Sequence, residues 1–198
     1  MSIAELIHNY FEPLDGKQGS CTLNEYVAIV ATLYQRVPCN LLVFGAGQDS
    51  VGWNSLNEGG KTIFIEDQDK WIQHVESLCG SGKVIKVNYP SSSVRWRFNL
   101  IDVKEGNVSS DLTLDLPPWL RSTPWDCIIV DGPMGEIYGG PGRQCSLIEA
   151  SRLASKNCVL CVHDANRNLE RLFCRQLFDC DRLFFDVERL RIYFGNQF

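Results

Sequence analysis

From Pro38 onward the chain repeats one unit: a short apolar run, a turn, then a longer stretch with apolar residues three and four apart. Runs over 41–44, 62–65, 83–88, 127–130 and 158–163 read as strands, and stretches over 50–57, 69–79, 143–154 and 168–178 read as helices. Apolar strands alternating with amphipathic helices predict a parallel sheet covered on both faces, since each helix must bury its stripe against the sheet. The closing stretch "DRLFFDVERLRIYFGNQF" breaks that rhythm with two β-rich runs about a polar turn near 187–189. That is a hairpin, so the last strand runs antiparallel to its neighbour.

Residues 1–37 form a helical preamble to the 38–198 core. "MSIAELIHNYF" and "TLNEYVAIVATLYQRV" carry helical spacing about the turn "PLDGKQGS", and Thr22 with Glu25 reads as a capping box. No linker or repeat cuts the chain, and 198 residues suit one domain. A net charge of -5 supplies no broad basic field, which disfavours nucleic acid as a partner. No apolar run reaches the ~20 residues that span a bilayer, and the first residues lack the basic and apolar regions of a signal peptide. As given, the residues read as cytoplasmic and free of membrane. The 9 cysteines are odd in number, irregularly spaced and partly inside apolar runs, which suits a reduced compartment. Cys158 and Cys161 form a CxxC, but three residues apart on a strand they face opposite sides and make no zinc pair.

The stretch "NLLVFGAGQDSVGW" drives an apolar strand into a glycine-rich turn and a helix start. In open parallel sheets such a turn lies beyond the carboxyl ends of the strands, where backbone can approach a ligand. Gly45, Ala46 and Gly47 supply the turn and Asp49 follows; Ser50 stands where a full G-x-G-x-x-G has its third glycine. The next strand ends in Glu66 and Asp67, about 20 residues on, where an acid can accept from both ribose hydroxyls of a bound adenosine. Together these residues indicate an adenosine cofactor, S-adenosylmethionine or a nicotinamide dinucleotide, without separating the two. Strands and helices in alternation closed by a hairpin are the layout of class I methyltransferases. The expected fold is therefore α/β, a Rossmann-like sandwich on a mostly parallel seven-stranded sheet with an antiparallel C-terminal hairpin.

Two further runs end in acids: "DCIIVDGPMGE" in Asp131 and "NCVLCVHDANR" in His163 and Asp164. If those strands are neighbours, the three side chains meet at the carboxyl edge. Methyl transfer to oxygen needs an aligned hydroxyl and a group to take its proton. Asp131, Asp164 and Asn166 could hold magnesium or manganese to acidify that hydroxyl, as in catechol-type O-methyltransferases. Without metal, Asp131 or His163 would be the base. Each also has a plain reading: Asp131 shaping a turn, His163 as a core imidazole, Asp164 capping a helix. The long loop "DGPMGEIYGGPGRQ" is a candidate acceptor flap, with Tyr138 to stack on a sugar and Arg143 to fork onto a carboxylate. "SSSVRWRFNLI" reads as an ordinary strand, or as a second acceptor wall in which Arg95 and Arg97 flank Trp96.

In "LLVFGAGQDSVGWNSLNEGGKTIFIEDQDKW", "DCIIVDGPMGEIYGGPGR" and "VHDANR" the sequence resembles the plant glucuronoxylan 4-O-methyltransferases and their relatives in polysaccharide biosynthesis. The resemblance implies methyl transfer from S-adenosylmethionine to the 4-hydroxyl of a glucuronic acid. Gly45, Gly47 and Glu66 then fall on cofactor positions, and Asp131, Arg143, His163 and Asp164 on motif positions near the acceptor. Members of that family are usually Golgi proteins with an N-terminal membrane anchor, so the resemblance implies the Golgi lumen if such an anchor was removed. A metal-dependent O-methyltransferase of small molecules and a non-catalytic cofactor-binding scaffold are the alternatives. The sequence carries no signal of oligomeric state.

Overall fold

A computed structural model describes residues 2–17, 20–135 and 139–195. Its seven strands are β1 (Asn40–Phe44), β2 (Lys61–Glu66), β3 (Val84–Lys86), β4 (Trp125–Val130), β5 (Ala154–Val162), β6 (Leu183–Val187) and β7 (Leu190–Phe194). They form one sheet in the order β3-β2-β1-β4-β5-β7-β6. β1 through β5 run parallel, and β7 is antiparallel to both β5 and β6. This is the class I methyltransferase sheet, with the expected hairpin at its end.

Alternation along the strands sorts side chains between two cores. Leu42, Phe44, Ile128 and Val130 face one side with Leu147, Ile148, Leu169 and Phe173, which lie on α7 (Gln144–Leu153) and α8 (Asn168–Leu177). Leu41, Val43, Cys127 and Ile129 face the other side. There they meet α2 (Leu23–Tyr34), α3 (Ser50–Leu56) and α4 (Asp69–Cys79), through Ile29, Trp53 and Val75. Cys158 lies in the first core and Cys161 in the second, as period-two geometry requires.

The preamble is packed into this architecture. α1 (Ile3–Leu6) leads into a wider turn that buries Phe11, whose ring lies 4.8 Å from Tyr26 and 4.5 Å from Trp53. A Cβ on Gly52 would stand 2.6 Å from Phe11, so α3 needs a glycine there. Truncating a buried aromatic of this kind costs ~3–5 kcal/mol, a large share of a domain's stability. α2 begins at the Thr22–Glu25 capping box, and Tyr26, Ile29, Val30 and Leu33 form its buried stripe.

One segment departs from the sequence expectation. Residues 93–104 form no strand: a 3-10 turn, Ser93–Arg95, leads into α5 (Trp96–Lys104). Asn99 and Leu100 point inward while Phe98 and Ile101 stay exposed, so the burial follows a helical period that six alternating letters had masked. Among the described residues no helix is long and apolar enough to cross a membrane.

Candidate active site

The glycine turn sits where β1 and β4 end side by side. Gly45 has φ +103 and its N–H donates to Ile65 O at 2.8 Å. A Cβ on Gly45 would lie 2.8 Å from Gly132 N, so the turns after β1 and β4 pack backbone against backbone. The next two amides are already engaged: Ala46 N–H donates to Glu66 Oε2 at 2.7 Å and Gly47 N–H to Ser50 Oγ at 2.9 Å. Ser50, in place of the third glycine, thus closes the turn from inside.

The acids around this turn lack cations. Glu66 Oε1 accepts from Asp67 N–H and Gln68 N–H, yet burial and then the facing Asp67 carboxyl push its pKa up to about 7. Asp49 is pushed up to about 6, by burial first and then by the charge of Asp131. Asp67 Oδ1 is buried with no donor in reach. Among the described residues none of Asp49, Glu66 and Asp67 has an ion-pair partner.

The next two strand ends are the reverse, acids densely matched by cations. Backbone bonds extend the ladder past β4, with Asp131 N–H on Phe44 O and His163 N–H on Val130 O. Asp131 Oδ1 lies 2.7 Å from His163 Nδ1 and accepts from Arg143 NH2 at 3.0 Å. The same guanidinium lies 2.9 Å from Asp164 Oδ2, and it donates to Pro133 O and His163 O. Asp164, with φ +57, also pairs with Arg167 at 3.0 Å and Arg189 at 3.3 Å. Burial opposes a charged His163, but Asp131 first, and then Cys21 and Glu25, together outweigh it and raise the imidazole to about 12. Asp131 is held below the usual carboxylate range: burial pushes it up, and His163, Arg143 and Arg189 together pull it further down.

A family model described as IRX15/IRX15L/GXM matches residues 24–193. The chain belongs to that family. It is 34% identical to glucuronoxylan 4-O-methyltransferase 1, 29% to arabinogalactan O-methyltransferase 2 and 35% to protein IRREGULAR XYLEM 15, all of Arabidopsis thaliana. Those matches cover 78%, 76% and 72% of this chain and 60%, 58% and 50% of the relatives, so the chain spans half to three fifths of their length. Among solved structures it resembles the S-adenosylhomocysteine-bound Podospora anserina methyltransferase PaMTH1, with TM-score 0.50, 13% identity and coverage of 98% and 88%. It also resembles MycE, a methyltransferase of the mycinamycin biosynthetic pathway solved with magnesium, S-adenosylhomocysteine and mycinamycin VI. There the TM-score is 0.50, identity 14% and coverage 100% and 49%. The resemblance read from the sequence motifs is borne out, and so is the fold.

Within this IRX15/IRX15L/GXM fold several site residues take parts other than those expected. Arg143 is turned inward, 4% exposed, with its donors spent on Pro133, His163, Asp131 and Asp164, so it has no fork left for a substrate carboxylate. His163 is 1% exposed and bracketed at both ring nitrogens, which removes it as a base facing an acceptor. Asp164 likewise offers its oxygens to three arginines. Tyr138 lies outside the described residues. Asp131, Asp164 and Asn166 do not fit as ligands of a magnesium or manganese ion. Asn166 is exposed, and one guanidinium already bridges the two carboxylates where a dication would sit. A second cluster, Cys21, Glu25 and His163, brings donor atoms within 4.8 Å of one another, but Arg189 N–H and Thr22 N–H occupy the Glu25 oxygens.

Three residues of the site escaped the sequence reading. Glu25 was visible only as a capping-box acid, Arg189 only as part of a hairpin turn, and Cys21 as one thiol among nine. Glu25 Oε2 lies 3.3 Å from His163 Nε2, and Arg189 reaches both Glu25 and Asp164. The buried Cys21 thiol beside them is pushed up to about 12, mainly by burial, and stays neutral. Only Thr22-to-Glu25 spacing gave a local signal. The hairpin turn meets α2 through contacts 164 to 166 residues apart in sequence, which no local pattern encodes.

Proposed function

We propose that this chain is an S-adenosylmethionine-dependent O-methyltransferase acting on a carbohydrate hydroxyl, with the 4-hydroxyl of a glucuronosyl group as favoured acceptor. The observation that carries the cofactor is the uncompensated acid around the glycine turn. A dinucleotide would bring a pyrophosphate to amides already bonded to Glu66 and Ser50 and beside the Asp49 carboxylate. S-adenosylmethionine brings instead a sulfonium and an ammonium, the positive charge that Asp49, Glu66 and Asp67 lack among the described residues, and ribose hydroxyls that a carboxylate at Glu66 can accept. The acceptor class is supported by family membership and by relatives named for glucuronoxylan and arabinogalactan.

Bound, the cofactor supplies an electrophilic methyl group; the chain's own residues place the oxygen and take its proton. Both contacts of Asp131 among the described residues go to Oδ1, and its side chain keeps 20% exposure. Oδ2 is therefore the atom that can accept the acceptor hydroxyl. Its lowered pKa makes Asp131 a weak base, sufficient here because the hydroxyl becomes strongly acidic only as the new C–O bond forms. Charge on His163 and Arg143 keeps the carboxylate ionised until then.

Calorimetric titration with S-adenosylhomocysteine beside NADH tests the cofactor. Labelled methyl transfer to glucuronosyl-bearing and neutral xylo-oligosaccharides tests the acceptor. NADH binding without S-adenosylhomocysteine binding would overturn the reading, and equal transfer to both glycans would remove the uronate.

A further inference from the structure

We propose that Glu25 is a positioning residue for methyl transfer: it holds His163 from behind so that the imidazole braces Asp131 and leaves one carboxylate oxygen for the acceptor. This rests on the methyltransferase reading above.

The capping box alone does not explain Glu25. A capping acid reaches back to the N-cap amide at the helix surface, and a cap is worth ~1 kcal/mol. Glu25 does accept from Thr22 N–H at 2.8 Å, but its side chain is 0% exposed, and burying a carboxylate costs several kcal/mol. Solvated capping would be cheaper, so the burial is accounted for by what Glu25 meets inside. Oε1 accepts from Arg189 N–H at 2.8 Å, and Oε2 lies 3.3 Å from both Arg189 NH2 and His163 Nε2.

An imidazole has two nitrogens, and here a carboxylate faces each: Asp131 lies 2.7 Å from Nδ1, and Glu25 Oε2 lies 3.3 Å from Nε2, a charge contact outside hydrogen-bond geometry. Flipping the ring would turn carbon toward both acids, so Glu25 fixes which edge meets Asp131 Oδ1. Asp131 is then held at one oxygen by His163 and Arg143. The groups facing His163 come from each neighbouring element: Glu25 from α2, Cys21 before it, Asp131 after β4 and Asp164 after β5. Arg189, in the turn between β6 and β7, ties Glu25 to Asp164 and so locks α2 against the strand ends.

Glu25→Gln keeps length and one acceptor oxygen, but loses the charge toward Nε2 and turns an NH2 onto one of the two backbone N–H donors, Thr22 or Arg189. We expect its kcat to fall at least tenfold while S-adenosylhomocysteine affinity and acceptor KM stay within threefold of wild type. Thr22→Ala is the structural control, lowering the melting temperature with kcat within twofold. A nitrogen-15 spectrum supplies a readout that needs no acceptor: a slowly exchanging His163 Nδ1 proton in wild type, lost or displaced in Glu25→Gln. Should Glu25→Gln fail to fold, Glu25→Asp, one methylene short of the ring, is expected to lose at least fivefold in kcat. Wild-type kcat in a folded Glu25 variant, or an unchanged His163 signal, overturns the proposal. Failure of wild type to bind S-adenosylhomocysteine overturns the methyltransferase reading instead.

Discussion

Gly45 and Gly132 face one another across the ends of β1 and β4 with no room for a Cβ on either: one added to Gly132 would lie 2.5 Å from Gly45 Cα. The glycine turn after β1 and the turn after Asp131 are therefore one backbone-packed unit, and the spacing between them is set by glycine on both sides. Asp49 belongs to the first turn and Asp131 to the second, and their carboxylates already sense each other.

Gly132→Ala consequently strikes both turns. Overpacking of close-packed backbone costs ~1–3 kcal/mol, which for a chain of this size lowers the melting temperature by roughly 2–12 °C. Gly45→Ala adds strain at φ +103, so it is expected to be the more damaging. Scanning calorimetry of both variants checks the order, and S-adenosylhomocysteine affinity should fall in each.

Glu66 couples stability to pH in the direction opposite to cofactor binding. Its folded pKa, pushed up to about 7 from 4.5, means that the folded state alone holds the proton between those values. Stability from this group is therefore lost as pH rises from 4.5 through 7, whereas its charged form is the one that would accept the ribose hydroxyls of the proposed cofactor. Affinity for S-adenosylhomocysteine should rise over pH 6 to 7.5, with protons released on binding. Titrations at pH 6.5 in two buffers of different ionisation enthalpy should disagree in apparent enthalpy, and Glu66→Gln should remove most of that disagreement.

The strands and the acids that end them were legible in the sequence because each is a local pattern: an apolar run, then glycine or a carboxylate. Gly45, Glu66, Asp131 and Asp164 were found that way. What Arg143 and His163 do was not legible. A charged residue opening a helix looks the same whether it points at solvent or inward, and its direction here is set by three strand ends that meet only in the folded sheet. Residues 93–104 failed for a different reason: six letters of mixed polarity fit both a strand and a helix, and packing against α8 decides.

Arg143→Lys measures that inward role. Lysine keeps the charge but cannot donate at once to Pro133 O, His163 O and Asp131 Oδ1. Losing one or two of these hydrogen bonds at ~1 kcal/mol each gives a destabilisation of ~1–2 kcal/mol. Because the guanidinium is buried and bonded within the protein, turnover of uronate-bearing and neutral acceptors should fall by the same factor. A larger loss on uronates in a steady-state comparison would put Arg143 back at the substrate.

Asp131→Asn and Asp164→Asn compare the acid proposed as the base with the acid that holds three arginines. Asparagine keeps an oxygen that can accept from Arg143 and His163 but removes the charge that pairs with both buried cations, so the melting temperature should fall as well. The amide cannot take the hydroxyl proton as the C–O bond forms, so kcat should drop by ~10²–10⁴-fold, the usual contribution of a positioned base. Asp164→Asn should cost stability without the specific loss of proton removal. Asparagine accepts its φ of +57, but the 4% exposed carboxylate is the partner of Arg143, Arg167 and Arg189. Removing one side of a buried ion pair costs ~3–5 kcal/mol, so this variant should unfold at lower temperature. The pair is read by denaturant melts beside single-turnover methyl transfer, and an Asp131→Asn enzyme with wild-type kcat would leave proton removal to some group other than Asp131.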